Sequence, residues 1–271
     1  MNIPEKFIDI KEVIRKKNPA LAKMMPKFVI SLMKRLIHED EVNRIIYDYR
    51  DRYGLDFVRC VLEDMKVTYS VEGLEQVPAD GRYIFASNHP LGGFDGLVLM
   101  DAIGTAFPEI RFIVNDLLLN LKNFDPLFVP VNKHGRQSAD YACQIDETYS
   151  SNAQVLYFPA GLCSRKTKGQ IADPKWNKNF IQKALQYKRD IVPVYFEGRN
   201  SNFFYNLANF RKKLGIKTNI EMTFLVNEFF SQKGRHINLK FGMPMPYTTF
   251  DKSKNYQQWT EIVREKVYDM R

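Results

Sequence analysis

Arg82-Tyr-Ile-Phe-Ala-Ser-Asn-His-Pro-Leu-Gly-Gly-Phe-Asp-Gly96 joins a short apolar run to a glycine pair and then to a second apolar run that continues to Gly104. The first run, Arg82 to Ala86, reads as a strand. The stretch from Asp95 to Gly104 reads as a helix, with Gly104 as its stop. The same alternation continues downstream. Strands are expected at Ile110–Val114, Leu127–Val131, Gln154–Phe158 and Ile191–Phe196. Helices are expected around Ala139, Ala142, Ile145 and Tyr149, and around Phe180, Ile181, Ala184 and Leu185. Two later strands are expected near Glu221–Val226 and Ile237–Phe241, before a last helix carrying Trp259, Ile262, Val263, Val267 and Met270. The pattern predicts an α/β domain over residues 67–271, with a mixed, largely parallel sheet flanked by helices. Functional sites of such domains lie where strands end and loops begin.

Residues 1–66 have a different texture. They contain a single glycine, Gly54, and apolar residues recur at helical spacing from Phe7 to Met65. They predict an N-terminal helical segment. Within it, Met24, Met25, Phe28, Val29, Leu32 and Met33 lie among Lys23, Lys27, Lys34 and Arg35. An apolar face flanked by cations suits either a membrane surface or packing against the rest of the protein.

The 271 residues carry 40 Lys and Arg against 31 Asp and Glu, a formal charge of +9. A basic surface seeks nucleic acid, anionic lipid or small acids. Cys60, Cys143 and Cys163 are too few and too odd in number for a disulfide framework, and the four histidines are scattered, so no metal site is expected. No apolar stretch approaches the ~20 residues that span a bilayer, and the first residues do not read as a signal peptide. If the protein works on membranes, it lies on them, as a peripheral protein at the cytoplasmic face.

The chemistry concentrates in four stretches. In the first, Gly92 and Gly93 allow the chain to fold back and bring Asp95 to His89. A carboxylate on one ring nitrogen fixes the tautomer and frees the other nitrogen to act as a general base. The same residues also read as a helix start, with Asp95 as its cap and His89 a polar turn residue. In the second stretch, Leu127-Phe-Val-Pro-Val-Asn-Lys-His-Gly-Arg136, a strand delivers Lys133 and Arg136, which suit an anionic group or simply face solvent. In the third, Val155-Leu-Tyr-Phe-Pro-Ala-Gly-Leu-Cys-Ser-Arg-Lys166, a strand enters a Pro-Ala-Gly turn followed by Ser164 and Arg165. Cys163 has no neighbouring base and reads as a semi-buried thiol. The fourth, Ile191-Val-Pro-Val194, is a core strand.

Taken in order, these stretches resemble the phospholipid/glycerol acyltransferase family of the lysophosphatidic acid acyltransferase type, over roughly residues 67 to 200. The resemblance rests on Asn88-His89 with Asp95, Phe128-Val-Pro130 with Lys133 and Arg136, Phe158-Pro-Ala-Gly161 with Ser164-Arg165, and Ile191-Val-Pro-Val194. Two positions depart from the family. Five residues rather than four separate the His from the Asp, and Ala160 stands where the family has the Glu that helps to shape the acceptor site. The Asn-His-Pro-Leu-Gly-Gly variant resembles a bacterial branch acting on acylated amino-acid lipids.

The resemblance implies transfer of a fatty acyl chain from an acyl carrier protein or coenzyme A thioester to a lyso-lipid hydroxyl. His89 would be the base and Asp95 its partner. Amides at Gly92, Gly93 or Gly161 would hold the oxyanion. Lys133, Arg136, Phe158, Pro159, Gly161, Ser164 and Arg165 would bind substrate. It implies no resident cofactor and an anionic membrane surface as partner. A basic nucleic-acid or lipid-surface binding protein remains the alternative, although no nucleic-acid motif is present. A serine hydrolase would require a Gly-x-Ser-x-Gly elbow, which the sequence lacks.

Overall fold

The computed structural model describes residues 6–17, 19–115, 118, 121–131, 139–216 and 219–271. Five helices open the chain: α1 (Ile10–Lys17), α2 (Pro19–Met24), α3 (Lys27–Leu36), α4 (Glu39–Asp48) and α5 (Gly54–Asp64). They are followed by β1 (Thr68–Glu72), β2 (Tyr83–Ser87), α6 (Gly93–Ala106), β3 (Ile110–Asn115), β4 (Phe128–Val131), α7 (Ala139–Ser150) and β5 (Gln154–Tyr157). A hairpin of β6 (Arg165–Thr167) and β7 (Gln170–Ala172) comes next, then α8 (Asn179–Tyr187), β8 (Asp190–Phe196), α9 (Asn202–Lys213), α10 (Leu225–Phe230), β9 (His236–Phe241) and α11 (Tyr256–Asp269).

Among the described residues, seven strands form one sheet in the order β1-β9-β8-β2-β5-β3-β4. Every pairing is parallel except β8 with β9. The sheet is therefore mixed and largely parallel, as the alternation of elements required. Alternating side chains of β2 go to opposite layers. Tyr83 and Phe85 join the cluster built with α5 and α6, whereas Ile84 and Ala86 join the cluster built with α8 and α11. Both faces are thus covered by helices, which is why these strands read as continuous apolar runs rather than as alternating ones.

Chain order fixes where a site can form. From β2 the chain crosses β5's position to β3 and β4, returns to β5, and then passes to β8 on the other side of β2. The C-terminal end of β2 is a topological switch point, where diverging connections leave a crevice. α6 leaves that point and is apolar on nearly every side, with Phe94, Leu97, Val98, Leu99, Met100 and Ile103 all buried.

The elements differ from the sequence reading at several points. The segment around Glu221–Val226 is not a strand: Ile220–Phe224 is a 3-10 helix that runs into α10. β1, the β6–β7 hairpin and α9 were not anticipated. Across the boundary expected at residue 66, Ile45, Phe57, Val58, Val61, Leu62 and Met65 share one buried cluster with Phe85 and Leu99. α3, by contrast, contributes no buried residue. The N-terminal arm is tied to α4 by polar bonds instead. The buried carboxylate of Glu39 accepts from Lys34 Nζ (2.9 Å), Lys6 Nζ (3.2 Å) and the Ile10 amide (2.9 Å).

Arg189 anchors the opposite end of the sheet. It is fully buried and, among the described residues, has no carboxylate partner; its guanidinium donates instead to main-chain carbonyls. Nε reaches Tyr149 O (2.7 Å), Nη1 reaches Ala153 O (2.7 Å) and Nη2 reaches Ser151 O (2.6 Å). These carbonyls lie at and beyond the C-terminus of α7, where orphan acceptors and the helix dipole favour a cation. Burial, with Arg82 nearby, pushes the guanidinium down to about 10, still charged at neutral pH. Arg189→Met is expected to lower unfolding free energy by about 3–5 kcal/mol, as urea titration would measure, because several buried carbonyls lose their donor together.

Candidate active site

β2 ends at Ser87, and Asn88 extends its pairing with β8 by side chain. Asn88 Nδ2 donates to Phe196 O (2.9 Å), while Phe196 N donates to Asn88 Oδ1 (2.7 Å). His89 is thereby held at the end of the central strand. The chain then turns through Pro90-Leu-Gly-Gly93 into α6. Gly92 has φ +87°, a conformation that side-chain-bearing residues rarely adopt, so the turn needs glycine here.

Asp95 lies one residue short of a full turn inside α6, and its carboxylate points back across the turn. His89 Nδ1 and Asp95 Oδ2 are 2.9 Å apart. The amides of Leu91 (2.9 Å) and Gly92 (3.2 Å) donate to the same oxygen, and Leu91 also reaches Oδ1 at 3.1 Å. The fifth intervening residue does not separate the pair, because the turn closes on the carboxylate. Gly92, not Asp95, is the N-cap: Asp95 sits at the third helical position, where one carboxylate accepts the N-cap amide and also holds the imidazole. The carboxylate is completely buried, and burial raises its pKa; the bonds from His89 and Leu91 oppose the rise. The His89 side chain keeps 15% of its surface exposed. Its ring stacks on Phe158 with centroids 4.0 Å apart and planes 18° apart, and Phe158 in turn packs edge-on against Phe112.

The other site residues separate into those near the imidazole and those with different work. Phe158 lies against the ring. Pro159 is buried in the following turn and accepts from the Asn177 amide through its carbonyl (2.9 Å). Gly161 has φ +60°, and its amide donates to Phe158 O at 3.0 Å, closing that turn rather than facing an oxyanion. The Gly92 amide is likewise committed to Asp95. Gly93, exposed at the first position of α6, is the remaining oxyanion candidate, since helix geometry gives its N–H no acceptor. Lys133 and Arg136 lie outside the described residues.

Arg165 is turned into the protein. It is buried and donates to Glu221 Oε1 (3.1 Å) and to the Cys163 carbonyl (2.8 Å). Arg211 binds the other oxygen of Glu221 at 2.8 Å. The Arg165–Glu221–Arg211 cluster locks the β6–β7 hairpin to α9 and the 3-10 helix. Cys163 is buried beside it, and burial pushes its thiol up to about 11, which leaves little thiolate at neutral pH.

Ser164 serves the loop. Its amide donates to His89 O (2.7 Å), and its hydroxyl donates to Asp173 Oδ1 (2.6 Å). Asp173, which the sequence gave no reason to single out, also accepts from the His89 amide (3.2 Å) and from Trp176 Nε1 (2.9 Å). It follows the unanticipated hairpin, 84 residues along the chain from His89. The histidine thus has carboxylates on two sides, one gripping its ring and one its backbone.

The chain matches the acyltransferase family model over residues 12–271. It belongs to the acyltransferase family. Two curated relatives, each named a lyso-glycine lipid O-acyltransferase, align over 265 residues. The one from Bacteroides thetaiotaomicron is 45% identical over 97% of both chains. The one from Phocaeicola vulgatus is 42% identical over 97% of this chain and 95% of its own. The crystal structure of the 1-acyl-sn-glycerophosphate (LPA) acyltransferase PlsC from Thermotoga maritima aligns with a TM-score of 0.46 at 16% identity, covering 91% of this chain and 98% of that one.

Asp173→Asn in this acyltransferase must leave at least one of three donors facing an NH2 group. It also removes a negative charge that helps to raise the Asp95 pKa. Asp95 then ionises at lower pH, so the acidic limb of kcat/KM is expected to move to lower pH. At the optimum, kcat is expected to fall about tenfold, corresponding to one lost hydrogen bond, with KM little changed. A pH–rate profile of the purified variant checks both.

Proposed function

We propose that this acyltransferase moves a fatty acyl chain from an acyl carrier protein or coenzyme A thioester onto the free hydroxyl of a lyso-aminolipid, of the lyso-glycine lipid kind. Two relatives of that name, alike over nearly the whole of each chain, support the acceptor. The observation that carries the mechanism is the 2.9 Å bond between His89 Nδ1 and the buried Asp95 carboxylate.

With Nδ1 committed to Asp95, Nε2 takes the proton of the acceptor hydroxyl as its oxygen attacks the thioester carbonyl. Asp95 stabilises the imidazolium that forms. The carbonyl oxygen becomes an oxyanion within reach of the Gly93 amide at the N-terminus of α6. Collapse forms the ester and breaks the C–S bond, and the departing sulfur regains the proton from Nε2. No side chain is acylated and no resident cofactor is required. Cys163 as a thiol, and Ser164 as a donor to Asp173, are both poorly placed to serve as nucleophiles.

A glycine headgroup ends in a carboxylate. Because Arg165 is buried against Glu221, Lys133 and Arg136 are assigned the headgroup. The enzyme works from the membrane surface, on its cytoplasmic face, without crossing it; among the described residues no helix is long and apolar enough to span. Met24, Phe28 and Leu32 are 81%, 73% and 54% exposed in the N-terminal arm, beside Lys23, Lys27 and Arg35, and this face suits an anionic bilayer.

His89→Ala is expected to abolish transfer, and Asp95→Asn to lower kcat about 10³–10⁴-fold by presenting a donor to Nδ1. Mass spectrometry of acylated product reads both, with circular dichroism to verify folding; turnover within tenfold of the parent in His89→Ala would remove the base from the mechanism. For the headgroup, Arg136→Ala is expected to raise KM for a hydroxyacyl-glycine acceptor about 10–100-fold, as for loss of a charged hydrogen bond, and to leave KM for its carboxamide analogue unchanged.

A further inference from the structure

α9 begins six residues after β8 ends and carries two kinds of face. Phe204, Tyr205 and Ala208 are buried, the first two against Cys163 with Met222 and Leu225. On the other side, Phe203 and Phe210 are 55% and 59% exposed, and Leu214, which caps the helix, is 58% exposed. Spacings of seven and eleven residues put all three on one face of a helix. Ile216 and Ile220 extend the exposed apolar surface beyond the helix. From Gly198 to Ile220 the chain contains Arg199, Arg211, Lys212, Lys213 and Lys217 and no acidic residue. Lys212 and Lys213 are exposed beside Phe210 and Leu214.

This face is tied to the catalytic loop. Asn200, just before α9, donates from Nδ2 to Pro90 O at 3.1 Å, one residue beyond His89. The Asn200 amide donates to Tyr205 OH (3.0 Å), which fixes the first turn of α9 relative to that bond. On the other side of α9, Leu225 starts α10 and lies where a side chain at Gly92 would touch it, at 3.2 Å. The far end of α10 meets the N-terminal helices, with His38 Nε2 3.0 Å from Asn227 Oδ1 and its ring stacked on Phe230.

We propose that Phe203, Phe210 and Leu214, flanked by Lys212 and Lys213, form a second membrane contact, which enters the headgroup region of an anionic bilayer beside the catalytic loop. Large apolar side chains with interleaved cations and no acid are what that region accepts. An acidic protein partner such as an acyl carrier would be met by cations, but has no need of so many bare aromatic and aliphatic groups. The contact gives the crevice a fixed aspect to the surface that holds a lipid acceptor. It rests on the proposed lipid acceptor for its purpose, while its existence is tested without any substrate.

The experiment uses the full chain and vesicles of phosphatidylglycerol and phosphatidylethanolamine in equal parts. Phe210→Ser with Leu214→Ser is expected to weaken co-sedimentation roughly 100-fold, and Lys212→Glu with Lys213→Glu roughly tenfold, the latter with no change on phosphatidylcholine vesicles. In an otherwise unaltered chain, Phe210→Trp is expected to be quenched by lipids brominated on the acyl chain. Unchanged vesicle affinity of the serine variant, or absence of that quenching, overturns the proposal. So does a serine variant that binds vesicles normally but no longer saturates with acyl carrier protein, or one that only changes oligomeric state. Turnover of a short-chain, water-soluble hydroxyacyl-glycine is expected to match the parent in both variants. If the parent itself fails to use that acceptor, the functional reading falls and the vesicle result stands.

Discussion

A carboxylate with no exposed surface, facing an imidazole 2.9 Å away and held by the amides of Leu91 and Gly92, is the constraint around which the rest is arranged. Burying that charge is unfavourable, and its raised pKa records it. The compensation is local and complete: two amides and one ring nitrogen, all from the turn the carboxylate itself closes. Because the amides belong to the turn, the carboxylate cannot hold the ring without also holding the loop. Rigidity at the imidazole is therefore a by-product of satisfying a buried anion, and it requires φ +87° at Gly92.

The second carboxylate works from the opposite side. Asp173 receives the His89 amide, the Ser164 hydroxyl and the Trp176 indole, so the strand-end loop is clamped between the start of α6 and the segment after the β6–β7 hairpin. Two anions bracketing one histidine raise each other's cost of ionisation, and Asp173 does contribute to the raised pKa of Asp95. That arrangement is tolerable because a ring poised between them can carry a positive charge. A loop designed only for packing would have no use for it.

The parts of this design that lie close together in sequence were legible. Strand, glycine turn and helix over residues 82–104 carry their own signals, and the apolar runs at 110–115, 154–157 and 190–196 announce a sheet covered on both faces. What escaped reading depends on distant partners. Ile220–Phe224 has strand-like composition, yet Glu221 within it is drawn into the ion cluster with Arg165 and Arg211, and a 3-10 turn presents it there. Arg165 looked like a substrate cation for the same reason: its partner lies 56 residues away, and one sequence shows no pairing between them. Asp173 has no motif around it, and its role exists only once the hairpin has folded. Arg189 was not singled out in the sequence, because its acceptors are carbonyls and carry no side-chain signature.

The buried Arg165–Glu221–Arg211 cluster also explains how α9 can turn a greasy face outward without collapsing onto the domain. A helix with aromatic residues on both sides has two ways to bury one of them. Phe204 and Tyr205 face inward because Arg211, on the same helix, must reach Glu221, and Arg165 lies over the Phe204 ring at 5.2 Å. Rotating α9 to bury Phe203 and Phe210 would expose Phe204 and strip a buried carboxylate of one of its two guanidinium partners, a change costing several kcal/mol. The ion cluster sets the rotation of the helix, and the rotation leaves the apolar face pointing away from the core. A charged network that adds little net stability thus specifies which side of an ambivalent helix remains available for contact.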